Sequence, residues 1–113
     1  MIGNFVTLES FNLKDKNVFI SQPMKGKTTK EIELERKNLV EAIERNGGRV
    51  IDSVYPEFEM MVHKQAPLIC LARSIDSIAN ADIVIFMPGY ENARSCSIEL
   101  ECCKKYDIDY ILL

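Results

Sequence analysis

The chain has one histidine (His63), no C-x-x-C pair among its four cysteines, no basic excess and no long apolar run. Each shortage excludes a class of function. One histidine and no cysteine pair at ligand spacing make no zinc site or other metal centre. Cys102 and Cys103 are adjacent, so on a helix they point in different directions, and Cys70, Cys96 and Cys103 read as small core residues. A net charge of −3 and a pI near 5.2 argue against a nucleic-acid polymer as partner, because that role calls for a basic face. No apolar stretch approaches the roughly 18–20 residues that span a bilayer. Met1–Phe11 lacks the basic start and apolar centre of a secretory signal. A cytoplasmic protein without membrane contact is therefore expected. The phosphate loop G-x-x-x-x-G-K-[ST] is absent, as are repeats and low-complexity segments, and no cofactor is implied.

What is present reads as one small domain. A length of 113 residues suffices for a single core but not two, and 47% hydrophobic with 27% charged residues is an ordinary globular balance. Residues 1–16 form an N-terminal extension, in which Phe5–Leu8 could be a short strand or an arm on a neighbouring molecule. From 17 to 113, strands and helices alternate. Strands are expected at Val18–Ser21, Arg49–Asp52, Ile83–Met87 and Asp109–Leu112. The run Ile83-Val84-Ile85-Phe86-Met87 is apolar throughout, as suits a strand covered on both faces. Thr28-x-x-Glu31 is a capping box opening the first helix. Ile32, Leu39, Val40 and Ile43 lie on one face of that helix, charged residues cover the other, and Asn46-Gly47-Gly48 ends it. A second helix carries Leu68, Leu71, Ala72, Ile75, Ile78 and Ala79 in the pattern of one buried stripe. A third begins near Ala93, with Asn92 as its cap. The alternation predicts a three-layer α/β/α sandwich whose four parallel strands run in the order 2-1-3-4. The switch point then falls between the first and third strands, where open α/β sheets keep their ligands.

Two loops meet at that switch point. Ser21, Gln22, Pro23, Met24 and Lys25 follow the first strand and offer a hydroxyl, an amide and a positive charge beside a helix start. Pro88, Gly89, Tyr90 and Asn92 follow the third. Ser53–His63 could serve as a lid or simply pack. On the third helix Cys96, Leu100 and Cys103 mark a buried stripe, and Glu99 lies on it. Glu99 could sit at the edge of the stripe and reach water. Its place in the second turn of a helix that follows a strand's C-terminal end favours a functional role, since a carboxylate facing a sheet is costly unless paired or lining a cavity.

Val18-Phe19-Ile20-Ser21-Gln22-Pro23-Met24, then Ala81-Asp82-Ile83-Val84-Ile85, Pro88-Gly89-Tyr90-Glu91-Asn92 and a helical glutamate, resemble the nucleoside 2-deoxyribosyltransferase-like family, above all its short branch from phages and bacteria. The resemblance covers about Val18 to Leu113. It implies a flavodoxin-like Rossmann variant and cleavage or exchange of the N-glycosidic bond of a deoxynucleoside or its monophosphate. Glu99 takes the place of the family's nucleophile. Ser21, Gln22 and Lys25 would hold sugar or phosphate, and Tyr90 and Asn92 the base or sugar. The chain departs from the family at Ala93 and Ser74, where aspartate is frequent, and at Ser95, where glycine is. The proton donor is thus missing or relocated to Asp76. A homo-oligomer is also implied, with Met1–Leu13 as a candidate contact. Three readings follow: an N-glycosidase or deoxyribosyltransferase of nucleosides or nucleotides, a non-catalytic nucleotide-binding or sensing module, and an interaction protein with a vestigial pocket.

Overall fold

A computed structural model describes residues 12–55, 61–62 and 64–113. Phe5–Leu8, read as a short strand or an arm, and most of the Ser53–His63 segment, with Pro56–Met60 and His63, lie outside the described residues. Within them the strands are β1 (Asn17–Ser21), β2 (Arg49–Val50), β3 (Ile83–Phe86) and β4 (Asp109–Leu112). The helices are α1 (Thr29–Arg45), α2 (Ala66–Ile78) and α3 (Arg94–Lys105). The sheet is parallel throughout, in the order β2-β1-β3-β4. Val18 to Ser21 pair in turn with Ile83 to Phe86, which pair with Asp109 to Leu112.

The sheet divides the core in two. On the α1 side, Val18, Ile20, Ile83, Ile85 and Ile111 pack with Leu39, Ala42 and Ile43. On the other side, Phe19, Val84 and Phe86 meet Ile78 of α2 and Cys96 and Cys103 of α3. All four residues of β3 are buried, as the unbroken apolar run requires. Leu39 and Ile43, fully buried, each contribute about 1.5–3 kcal/mol by leaving water.

Local chemistry sets the boundaries. Thr28 Oγ1 accepts from the Glu31 amide at 3.2 Å, and the Glu31 carboxylate accepts from the Thr28 amide at 3.1 Å, so the capping box forms in full. Gly47 ends α1 with φ +86°. Gly48 could not carry a side chain: a Cβ there would lie 2.8 Å from Ile43 Cγ2. The second strand stops two residues before the expected Asp52. The Asp52 carboxylate accepts from the Val54 amide at 3.1 Å, an Asx turn that bends the chain off the sheet.

Three further expectations are corrected. Leu13, the last residue of the Met1–Leu13 segment expected as a contact, packs within its own domain, and Met1–Phe11 lie outside the described residues. Leu13 is 1% exposed in the α1-side core, while the Asp15 amide bonds the Gly47 carbonyl at 2.9 Å. Asn92 does not cap α3: Tyr90–Asn92 form a 3₁₀ turn, and Ala93 occupies the cap position without a side-chain bond. The buried stripe of α2 is rotated. Leu71, Ser74 and Ile78 face the sheet, whereas Leu68 and Ile75 are 58% and 37% exposed and Ala72 and Ala79 are exposed too.

Candidate functional site

The C-terminal end of β1 organises the site, because successive residues of a strand point to opposite faces. Ser21 follows Phe19 toward α2 and α3, and Gln22 points toward α1. The chain places a polar group on each side of the sheet in two consecutive residues, and both are buried.

On the α3 side, Ser21 Oγ donates to Glu99 Oε1 at 2.5 Å. Glu99 is 4% exposed, deeper than its neighbour Leu100. It does not reach water at the edge of the stripe. Burial pushes its carboxyl up from 4.5 to about 7, and the hydroxyls of Ser21 and, less strongly, Ser74 pull in the opposite direction. No cation appears among the causes of that shift. The neighbouring thiols of Cys96 and Cys103 are raised to about 11, chiefly by burial, so both are neutral. Glu99 is therefore a buried acid held by hydroxyls and poised near neutrality. That is the range in which a carboxyl serves as base, acid or nucleophile at physiological pH.

The other expected residues divide. The loops after β1 and β3 do meet: a Cβ on Gly89 would lie 3.5 Å from Pro23 Cγ, and the Met87 amide donates to the Ser21 carbonyl at 2.9 Å. Gly89 has φ +94°, a backbone conformation that favours glycine. Pro23 and Met24 are half-buried there, while Lys25, Pro88 and Asn92 are exposed at the rim. Tyr90 packs edge-on against Phe86, with ring centroids 5.9 Å apart, so part of its surface serves the core. Ser95, half-buried, bonds to the Cys96 thiol. Asp76 is not brought to Glu99. Ser74 reaches that carboxyl, and a residue two positions further on a helix points some 200° away. Asp76 is exposed, and its carbonyl accepts from the Asn80 amide at 3.1 Å.

On the α1 side lies a cluster that the sequence reading passed over. Arg36, 5% exposed, donates from Nε to Gln22 Oε1 at 2.8 Å and from Nη1 to Ser53 Oγ at 3.0 Å. Its Nη2 is buried without a hydrogen-bond partner among the described residues. Gln22 Nε2 donates in turn to the Ile32 carbonyl at 3.0 Å and the Glu35 carboxylate at 3.4 Å. Burial lowers Arg36 to about 10, opposed by Asp52 and Glu33, so it remains charged. The signal was available: Ile32, Arg36, Leu39 and Ile43 fall at i, i+4, i+7 and i+11, one face of one helix.

A shallow depression lined by Cys103, Lys104, Asp107, Ile108, Asp109 and Tyr110 lies toward the other end of α3 and contains neither Glu99 nor the residues of the two loops. No helix among the described residues is long and apolar enough to cross a membrane. The fold and site together define a small Rossmann-like α/β domain with a buried carboxyl at its switch point. Comparison with family models, curated proteins and solved structures returns no match.

Proposed function

We propose that this domain cleaves or exchanges the N-glycosidic bond of a nucleoside or nucleotide through Glu99. The observation that carries the reading is a buried carboxyl at the switch point with hydroxyl partners and, among the described residues, no counter-cation. In the ionised form, a Glu99 oxygen attacks the anomeric carbon as the bond to the base breaks. The base leaves with the bonding electron pair and takes a proton from solvent. Water then hydrolyses the glycosyl ester and regenerates the acid, or a second base accepts the sugar. The Ser21 hydroxyl orients the carboxylate and favours its charge. The rim formed by Met24, Lys25, Pro88, Gly89 and Asn92 suits a small polar ligand, with Lys25 available to a phosphate.

A second reading rests on a different observation. Glu99 has no second carboxylate beside it among the described residues, since Ser74 and Ala93 stand where a proton donor would be placed. A nucleotide-binding or sensing module would tolerate that. Self-association belongs to either reading, supported by the exposed apolar side chains of Leu68 and Ile75 on α2.

The test is release of free base from a panel of deoxynucleosides and their 5′-monophosphates by wild type and Glu99→Gln. The amide is too weak a nucleophile to form the ester, so turnover should fall about a thousandfold or more. Equal turnover by both proteins would remove Glu99 as nucleophile. No wild-type turnover, with ligand-induced thermal stabilisation, would favour the binding module.

A further inference from the structure

The two polar clusters meet at one peptide unit, and that contact has a functional meaning. Ser21 and Gln22 are consecutive. The Gln22 side chain has both ends bonded, its oxygen taking the Arg36 Nε–H and its amide reaching Ile32 and Glu35. Arg36 also holds Ser53 Oγ, which lies 3.5 Å from the Ile20 carbonyl. The residues on either side of Ser21 are thus bonded into one network on the α1 face, while the Ser21 hydroxyl alone projects to the other. A hydroxyl at 2.5 Å from its acceptor tolerates little backbone movement, because hydrogen bonds weaken steeply away from their optimum.

We propose that Arg36, acting through Gln22, is a positioning residue for Glu99: from the opposite face of the sheet it fixes the end of β1 so that the Ser21 hydroxyl stays on the Glu99 carboxyl. For its chemical consequence this rests on the reading of Glu99 as the reacting group. For its structural content it needs only the two clusters. The groups facing Glu99 are Ser21 from β1, Ser74 from α2, and the neutral thiols of Cys96 and Cys103 from its own helix. Of these the Ser21 bond is the stronger influence favouring the charged form. Loosening it shifts Glu99 toward the protonated state.

The experiment is a carbon-13 NMR titration of the Glu99 carboxyl in the whole chain, without substrate, for wild type, Ser21→Ala, Gln22→Leu, Ser53→Ala and Arg36→Lys. Ser21→Ala sets the full effect, an upward move of the midpoint by about one pH unit, the size of one hydrogen bond to a charged group. Gln22→Leu should approach that value. Ser53→Ala, which keeps Arg36, should give a fraction of it. Arg36→Lys, which keeps the charge but loses the two-pronged grip, should fall between them. A purely structural role for Arg36 would lower melting temperatures and leave the midpoints of Gln22→Leu, Ser53→Ala and Arg36→Lys at that of wild type. If Gln22→Leu and Ser53→Ala are folded and titrate as wild type does, the proposal is overturned, whether or not Arg36→Lys folds. It is likewise overturned if Ser21→Ala leaves the midpoint in place. Because no substrate is used, a failed glycosidase assay leaves this result standing, and a failed titration leaves the attack by Glu99 to its own assay.

Discussion

Arg36 and Glu99 are both buried, both ionisable, and separated by the thickness of one sheet, yet they are held in opposite ways. Arg36 has charge compensation. Asp52 and Glu33 oppose the effect of burial, and its value of about 10 leaves it ionised at any physiological pH. Among the described residues Glu99 has only hydroxyls, and its value near 7 leaves the charge in balance. Burying an unpaired charge is costly, and proteins ordinarily remove such groups or pair them. The pattern around Arg36 is what a structural tie requires. That around Glu99 serves stability poorly, which is why the proposed chemistry is placed there.

The comparison can be broken most forcefully from the Arg36 side. Arg36→Met should cost about 3–5 kcal/mol, because it leaves Gln22 Oε1 and Ser53 Oγ buried without their donor. In a domain of this size that lowers Tm by about 10–20 °C, measurable by thermal melts. A loss below about 1 kcal/mol would show that the guanidinium carries no structural load.

The Glu99 side should respond with the opposite sign and only at higher pH. Its folded-state value lies above the ordinary 4.5, so the folded protein binds more protons than the unfolded chain between 4.5 and about 7. Its contribution to stability is therefore fully present below 4.5 and is lost as pH rises through about 7. At pH 8 the loss is about 3 kcal/mol. Glu99→Gln should leave stability at pH 5 nearly unchanged and raise it at pH 8 by about 2–3 kcal/mol. Denaturant titrations at the two pH values decide this, and equal effects at both would contradict the assignment.

The smallest expected effect sharpens the distinction between Ser21 and Ser74. Ser74→Ala removes the weaker hydroxyl and should change stability at pH 8 by less than about 1 kcal/mol, while moving the Glu99 midpoint upward. Chemical denaturation beside the carboxyl titration checks it. A midpoint that moves down would mean that Ser74 does not stabilise the charged form.

Strong local signals were legible in the chain itself. The run Ile83–Phe86 allowed only a strand covered on both faces. The Thr28–Glu31 box placed the start of α1 correctly, and strand–helix alternation was sufficient for a parallel sheet in the order found. Signals that depend on which of two faces a neighbour covers were not legible. In α2 the full set of Leu68, Leu71, Ala72, Ile75, Ile78 and Ala79 spans more of the helix than one sheet contact can bury, and periodicity alone does not say which half turns inward. Asp76 entered the reading through the family resemblance, as the acid nearest to Ser74, and the residue on the inward half is Ser74 itself. Arg36 was overlooked because an arginine on an apolar stripe is ordinarily assumed to extend to solvent. Only the polar ends of β1 and β2, brought together by the fold, give its guanidinium partners inside.

The thiols that neighbour Glu99 supply an internal clock for opening of the structure around it. Cys96 is fully buried and Cys103 is 1% exposed, while Cys70 and Cys102 are half-buried. A protonated thiol shut away from solvent is inert toward alkylating reagents until the structure opens around it. The rate at which Cys96 is modified, set against that of Cys102 on the same helix, therefore reads how often the wall between α2, α3 and the end of β1 parts. Glu99, 4% exposed on the same helix, is shut away to a similar degree, so that rate gives a scale against which the access of a ligand to the carboxyl can be set.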